Sequence, residues 1–225
     1  MLKAVIFDMD GVLVDSEPLH YEVNKVTVKE HFDIDLNYEY YKQYIGSTVM
    51  YMWEKMIKDF SIEGYTPEEL FGLSEEVKDR LVEKNGYPQV HGAVDFVKSL
   101  STKYKLAVAS SSALVNIERN VSNLGIANEF DVLVTGLSVQ NPKPAPDIFL
   151  KAAAELGVKP CECIVVEDSC NGVRAAKAAG MACIGFINPG SGEQDLSAAD
   201  YLFEVFDNID DGFLEMVHSH HFGEP

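Results

Sequence analysis

The sequence predicts an α/β protein in which a doubly wound parallel sheet carries an inserted, all-helical second domain. Two observations support this fold class. A short apolar run at residues 4–7 and further such runs after Gly92 predict buried strands. From Gly92 onward these runs alternate with helical segments, as is typical of a parallel sheet with helices on both faces. Between Asp15 and Gly92 no such run occurs, and apolar residues recur at helical spacing. We therefore expect a core of residues 1–15 and 89–225 and a helical domain of residues 16–88.

The composition limits the kinds of partner that we expect. Of the 225 residues, 47% are apolar, and 18 Lys and Arg residues stand against 36 Asp and Glu residues, which gives a net charge of −18. Such a charge repels polyanions and anionic membranes, so we expect no nucleic-acid partner and no membrane partner. A small phosphorylated metabolite remains compatible, because a metal ion and a few local cations suffice to bind it.

Hydropathy along the chain indicates a cytoplasmic protein. No apolar run approaches the roughly 18 residues needed to span a bilayer, and Met1 leads directly into the first predicted strand without a signal peptide. The sequence leaves the oligomeric state open and is compatible with a monomer. Near the C-terminus, His218, His220 and His221 are predicted to lie in a solvated tail rather than in a metal site.

The first predicted strand ends at a group of acids. The apolar residues 4–7 are followed by Asp8, Asp10 and Gly11. A carboxylate at the carboxyl end of a parallel strand faces the crevice in which open α/β sheets bind ligands. Gly11 permits backbone angles or a close ligand approach that a side chain would obstruct. Asp8 and Asp10 are therefore candidate catalytic residues and metal ligands.

The predicted helical domain contains three apolar stripes at helical spacing. They consist of Leu19, Val23 and Val26; of Val49, Trp53, Met56 or Ile57, and Phe60; and of Leu70, Leu73, Val77 and Leu81. Ser16 is predicted as the first helix cap, and residues 85–88 are a cluster of helix breakers at the exit. Both connections lie near one end of the predicted sheet, so the domain is either a hinged lid or a fixed helical layer.

The remainder of the core is predicted to alternate between helices and strands. The predicted helices are residues 93–100, 113–124, 147–156 and 171–179, and the predicted strands are residues 105–109, 130–134, 163–166 and 183–187. Ser110, Ser111 and Ser112 follow the first of these strands. These three residues join a strand to a helix and can offer a hydroxyl and backbone N–H groups to an anion, with Ser110 the main candidate. The alternative is that they cap the helix, and for Ser112 capping alone is sufficient.

A lysine and two acids complete the set of candidate site residues. Lys143 lies between Pro142 and Pro144, which hold the backbone extended before a helix, so it is suited to neutralising a transferring phosphoryl group. Glu167 and Asp168 follow a buried strand, where a bound cation compensates the cost of burying carboxylates. With Asp8 and an oxygen of Asp10 they offer hard ligands for Mg²⁺. The alternative is that these acids are a helix cap or surface residues.

The segment DMDGVLVDS, followed by Ser110, Lys143 and the Glu167-Asp168 pair, resembles the four motifs of the haloacid dehalogenase superfamily. The resemblance is to the subgroup of β-phosphoglucomutases and small sugar phosphatases and extends over essentially the whole chain. It implies a helical cap over the active site of a Rossmann-like core. We expect Asp8 to form an aspartyl-phosphate, with Mg²⁺ held by Asp8, the Asp10 carbonyl and Asp168 and with Glu167 as a ligand or anchor.

Asp10 is predicted to act as general acid and then as general base. The superfamily's dehalogenases do not need this second aspartate, so its presence favours phosphate chemistry.

The predicted helical domain supplies candidates for substrate recognition. His20 lies at a position similar to that of a histidine in β-phosphoglucomutases, and Gly46 and Ser47 form a polar loop. The mutases carry an arginine shortly after the corresponding glycine to bind the distal phosphate, whereas this chain has Val49, Met50 and Tyr51. We therefore predict a phosphatase acting on a small phosphorylated metabolite such as a sugar phosphate. The alternatives are a phosphosugar mutase and, third, a non-catalytic phosphate-binding protein.

Overall fold

The computed structural model describes residues 1–45 and 47–223, which form two compact units. The first unit consists of Met1–Asp15 and the chain from Gln89 onward, and the second consists of Ser16–Pro88. The strands and α-helices of the described residues, in chain order, are β1 (Ala4–Phe7), α1 (Ser16–Phe32), α2 (Tyr38–Tyr41), α3 (Val49–Asp59), α4 (Pro67–Asn85), α5 (Ala93–Leu100), β2 (Lys105–Ser110), α6 (Leu114–Asn123), β3 (Val132–Thr135), α7 (Asp147–Leu156), β4 (Cys163–Glu167), α8 (Cys170–Ala178), β5 (Ala182–Phe186), β6 (Tyr201–Phe203) and α9 (Asp211–Phe222).

The first unit is built on a parallel sheet with the strand order β3-β2-β1-β4-β5-β6. Strand β1 lies at its centre, and its four apolar residues are fully buried because helices cover both faces. Burial of side chains such as Ile6 and Phe7 contributes about 1.5–3 kcal/mol each. Phe7 lies beside Val108 of β2 and Val166 of β4, so the residues that follow them emerge together at one edge.

The predicted fold class is confirmed, with small shifts at the ends of elements. Strand β3 begins at Val132, two residues later than expected, and α6 begins at Leu114. The helices α7 and α8 pack on the sheet through alanines such as Ala152 and Ala176, which are fully buried and permit close approach. Within residues 1–45 and 47–223, no helix is long and apolar enough to cross a membrane.

The second unit has only helices among its described elements, and its core differs in detail from the predicted stripes. Helix α1 buries Val23, Asn24, Thr27 and Val28, whereas Leu19 and Val26 are half-buried. The two polar residues tolerate burial because their groups are satisfied locally. Thr27 Oγ1 donates to the Val23 carbonyl at 2.7 Å, and Asn24 Nδ2 donates to the His20 carbonyl at 2.8 Å.

The C-terminal histidines lie in a helix rather than in a tail, and only His220 is exposed to solvent, so the prediction of a solvated tail was wrong for His218 and His221. They belong to α9, and His218 is 2% exposed with its Nε2 atom 2.9 Å from the Cys161 carbonyl oxygen. The Nδ1 atom of His221 lies 2.7 Å from Asp200 Oδ1. The sequence signal for this helix is the N-cap Asp210, whose side chain accepts from the Phe213 amide.

Candidate active site

The carboxyl edge of the sheet brings Asp8, Lys143 and Glu167 together. Lys143 Nζ lies 2.5 Å from Asp8 Oδ1 and 2.8 Å from Glu167 Oε1, and it also donates to the Ala109 carbonyl at 3.1 Å. The ammonium group lies 4.9 Å from the centre of the Phe149 ring, which is buried under the sheet. These contacts fix one cation between the ends of β1, β2 and β4.

The cluster carries more negative than positive charge in a buried setting. Asp8 is 8% exposed and Asp168 is 5% exposed. Burial and repulsion from Glu167, Asp168 and Asp10 raise the pKa of Asp8 well above its usual value, although the attraction of Lys143 opposes the shift. Burial also opposes charge on Lys143, but attraction to and hydrogen bonds with Asp8 and Glu167 outweigh it, and the pKa of Lys143 is raised.

Asp168 lies against the backbone of Gly11. A Cβ atom on Gly11 would lie 1.9 Å from Asp168 Oδ2, and Gly11 has a φ of +86°, which favours glycine. Ser191 Oγ donates a hydrogen bond to the same Asp168 oxygen. Burial is the main cause that raises the pKa of Asp168 to about 7, and repulsion from Glu167 adds to it.

The side chain of Asp10 is exposed and turns toward the serines that follow β2. Asp10 Oδ2 accepts from Ser112 Oγ at 2.9 Å and from Ser110 Oγ at 3.5 Å. Ser110 is 1% exposed, and its Oγ accepts from the Ser112 amide at 3.1 Å, whereas Ser111 is exposed. Ser112 is not a helix cap, which corrects that prediction, because Ala113 is the N-cap of α6 and Ser112 Oγ contacts Asp10.

Glu167 is held on both sides of its carboxylate. Its Oε1 atom pairs with Lys143, and its Oε2 atom accepts from the amide and from the Oγ atom of Ser169 at 2.8 and 2.9 Å. Any Cβ atom on Gly172, in the first turn of α8, would lie 1.6 Å from Glu167 Oε1. Glu167 is therefore enclosed and occupied by protein contacts, as expected of an anchor for Lys143.

The donor set suits a small hard cation. In the described part of the chain no three His, Cys, Asp or Glu side chains are arranged as a metal-binding group. Lys143 contacts both Asp8 and Glu167, Ser112 contacts Asp10, and Ser191 contacts Asp168, so each acid of the cluster already has a protein partner. Three buried acids nevertheless face one ammonium group, and a divalent cation would neutralise this excess charge. Oxygen donors of this kind fit Mg²⁺, which binds through one or two carboxylates together with water and phosphate oxygens.

The candidate residues of the helical unit surround a separate cavity. His20 and Ser47 both line this cavity of about 130 Å³, together with Glu17, Asn24, Tyr41, Tyr44, Thr48, Val49 and Met52. Ser47 Oγ donates to the Tyr44 carbonyl at 2.7 Å. Gly46 lies outside the described residues. The lining is mostly polar and contains no lysine or arginine.

Two site residues, Asn188 and Ser191, were not identified from the sequence, and for a third, Ser112, the contact with Asp10 was not predicted. Ser112 contacts Asp10, Ser191 contacts Asp168, and Asn188 Nδ2 donates to the Gly11 carbonyl at 2.8 Å. For Asn188 and Ser191 a signal was present, because the segment Asn-Pro-Gly-Ser follows strand β5 at the same edge of the sheet as the other site residues. The predicted strand ends at Ile187, one residue beyond the observed strand, and the polar turn follows it directly.

Comparison with known proteins identifies the class. The family model for haloacid dehalogenase-like hydrolases matches residues 2–180. The phosphorylated carbohydrates phosphatase of Thermotoga maritima is 36% identical over 185 residues, covering 80% of this chain and 82% of that protein. The fructose-1-phosphate phosphatase YqaB of Escherichia coli is 32% identical over 181 residues, covering 79% and 92%.

A solved structure agrees with this class. The crystal structure of a Thermotoga maritima protein provisionally named beta-phosphoglucomutase has a TM-score of 0.83 at 29% identity and covers 96% of this chain and 100% of that one. The chain belongs to the haloacid dehalogenase-like hydrolase family. Within that family it is a phosphohydrolase.

Proposed function

We propose that the protein is a Mg²⁺-dependent phosphatase that hydrolyses the monophosphate ester of a sugar through an aspartyl-phosphate on Asp8. The observation that carries the proposal is the buried cluster in which Lys143 contacts Asp8 and Glu167 at one edge of the sheet, with Asp168 close by. The relatives named as carbohydrate and fructose-1-phosphate phosphatases support the sugar phosphate as substrate class.

The reaction divides into two displacements at phosphorus. In the first, a carboxylate oxygen of Asp8 forms a bond to phosphorus while the bond to the sugar oxygen breaks, and Asp10 gives that oxygen a proton. In the second, water attacks the phosphorus of the aspartyl-phosphate while Asp10 takes its proton, and the bond to Asp8 breaks. Ser112, which donates to Asp10 at 2.9 Å, orients this acid.

Lys143, Ser110 and Ser111 are proposed to bind the phosphoryl oxygens. Lys143 already holds its charge at the nucleophile, and the enclosed Glu167 keeps the ammonium group in place. Asp8, Asp168 and the Asp10 carbonyl are the proposed ligands of Mg²⁺. When bound, the ion supplies positive charge that offsets the repulsion between the Asp8 carboxylate and the phosphate. The raised pKa values of Asp8 and Asp168 support this assignment, since a cation favours their charged forms.

We further propose that Ser16–Pro88 is a cap that selects the sugar, with His20 and Ser47 in contact with it and Gly46 as a further candidate for substrate recognition. The cavity that His20 and Ser47 line presents hydroxyl, amide and carboxylate groups and no lysine or arginine. This lining suits the hydroxyl groups of a sugar better than a second phosphate, which favours hydrolysis of a monophosphate over mutase chemistry. We propose a cytoplasmic location and neither nucleic acid nor membrane as partner, in keeping with the net charge of −18.

The test is release of phosphate from p-nitrophenyl phosphate and from a panel of sugar monophosphates. We expect turnover that needs MgCl₂, that EDTA abolishes and that Asp8→Asn lacks. Asp195→Asn, at an exposed acid of the same unit, is the control and retains turnover. No turnover across the panel would instead support a phosphate-binding protein. Conversion of β-glucose 1-phosphate to glucose 6-phosphate, stimulated by a sugar bisphosphate, would support a mutase.

A further inference from the structure

The turn that follows strand β5 contacts the candidate active site at two points. Asn188 begins this turn, and its Oδ1 atom accepts from the Gly190 amide at 2.7 Å. The Nδ2 atom of the same side chain donates to the Gly11 carbonyl at 2.8 Å. Three residues later, Ser191 Oγ donates to Asp168 Oδ2. One short turn therefore holds both the backbone after Asp10 and the carboxylate of Asp168.

Gly11, Asp168 and Ser191 are packed so closely that their positions depend on one another. A Cβ atom added to Gly11 would lie 1.9 Å from Asp168 Oδ2 and 2.8 Å from Ser191 Oγ. The Asp168 carboxylate thus lies between the backbone of Gly11 and the Ser191 hydroxyl. Its torsional freedom is limited on one side by van der Waals contact and on the other by a directed hydrogen bond.

A second link ties Ser191 to the loop that carries Asp168. Gln194 Nε2 donates to the Ser191 carbonyl at 3.0 Å, and Gln194 Oε1 accepts from the Cys170 amide at 3.1 Å. Three hydrogen bonds therefore link Asp168, Ser191, Gln194 and Cys170, and the backbone of residues 168–170 closes the ring between the turn and the start of α8. The turn borders an open cavity of about 160 Å³, lined in part by Asp168, Asn188 and Gln194. Polar contacts, more than apolar packing, fix its position.

We propose that Ser191 is a positioning residue that holds the Asp168 carboxylate in the orientation that binds Mg²⁺. This inference rests on the Mg²⁺ site of the proposed function. A ligand carboxylate held by a hydrogen bond loses less freedom when it binds a metal, and removal of such an outer partner typically costs about 10–100-fold in metal affinity. The Ser191 hydroxyl donates to Asp168 and is not among the groups proposed to bind the phosphoryl oxygens, so we expect its effect in metal affinity rather than in affinity for the phosphate ester.

The test is isothermal titration of MgCl₂ into the metal-free full-length protein and its Ser191→Ala variant. We expect the variant to bind Mg²⁺ about 10–100-fold more weakly, with the Mg²⁺ concentration for half-maximal turnover of p-nitrophenyl phosphate raised by the same factor. At saturating MgCl₂ we expect the KM for this ester to change by less than about twofold, because the groups proposed to bind the phosphate are Lys143, Ser110 and Ser111 and remain unaltered. Ser191→Thr keeps the hydroxyl and restores affinity to within about threefold of the original protein.

The control is Ser197→Ala, which removes a serine hydroxyl that donates to an exposed acid, Asp195, at 2.6 Å. We expect it to bind Mg²⁺ as the original protein does. Three outcomes would overturn the role of Ser191 and leave the proposed function standing. They are an unchanged Mg²⁺ affinity in Ser191→Ala, an equal loss of affinity in Ser191→Ala and Ser197→Ala, and a failure of Ser191→Thr to restore Mg²⁺ binding. Absence of Mg²⁺ binding by the unaltered protein, together with metal-independent turnover, would overturn both.

Discussion

Replacement of Lys143 by methionine tests the charge balance of the active site. Methionine retains much of the length of the lysine side chain but removes the ammonium group, which leaves Asp8 and Glu167 without their counter-ion. The Lys143 side chain is 7% exposed and its partners are 11% and 1% exposed, so water cannot replace the lost contacts. Removal of one member of a buried ion pair costs about 3–5 kcal/mol, because the remaining charge is buried without compensation.

This cost is large enough to appear in thermal unfolding. For a chain of this size, 1 kcal/mol corresponds to a shift of about 2–4 °C in the unfolding midpoint, so Lys143→Met is expected to lower it by about 6–20 °C. The loss depends on pH. The charge of Lys143 lowers the pKa of Asp8. Without Lys143, the pKa of Asp8 in the folded state therefore rises further above the unfolded value of 3.8. The folded state then binds more protons than the unfolded state, and its stability falls as pH rises.

The assay is differential scanning fluorimetry of the metal-free proteins at pH 5 and pH 8, and we expect the larger deficit at pH 8. Lys151→Met is the matched control, since Lys151 lies on the neighbouring helix α7, is partly exposed and faces Glu155 at 3.8 Å. Exposed pairs of this kind contribute about 0.5 kcal/mol or less. A midpoint for Lys143→Met within about 2 °C of the control at both pH values would refute the reasoning, since this margin corresponds to about 1 kcal/mol or less.

Three further predictions concern the same site. Asp10→Asn is expected to lower kcat by about 10²–10⁴-fold without changing the unfolding midpoint, because Asp10 is exposed and is the proposed group for proton transfer; a normal kcat would exclude that role. Gly11→Ala is expected to destabilise the protein more than Gly180→Ala, since both glycines have a positive φ but only a Cβ atom on Gly11 would clash with Asp168. Gly11→Ala is also expected to abolish Mg²⁺ binding measured by calorimetry. Equal unfolding midpoints of the two variants would contradict the steric argument. Finally, burial raises the pKa of Asp168 from 3.8 in the unfolded chain to about 7 in the folded protein, so the metal-free protein loses stability as pH rises through this interval. Added MgCl₂ is therefore expected to raise the unfolding midpoint more at pH 8 than at pH 5.5. An equal rise at both pH values, or a rise that persists in Asp168→Asn, would contradict this prediction.

The fold class is predictable from the amino-acid pattern, because the evidence for it is local. Four apolar residues before Asp8 and similar runs before Ser110 and Glu167 indicate buried parallel strands, and parallel strands bring their carboxyl ends to one edge. The same pattern predicted that Asp8, Lys143 and Glu167 lie together, although as many as 135 residues separate them along the chain. After Asp15 the continuous apolar runs give way to apolar residues at helical spacing, and this change predicted the helical unit.

The partner of each polar side chain became clear only from the three-dimensional arrangement of the chain. The chemistry of a carboxylate or hydroxyl in a loop is the same whether it binds a metal, a helix end or another side chain, so its partner depends on long-range packing. Glu167 faces Lys143 and the Ser169 amide, Ser112 holds Asp10, and Ser191 reaches Asp168 from a turn 23 residues later. The same limit applies to His218. The sequence alone indicated a solvated tail, whereas long-range packing buries this residue in α9.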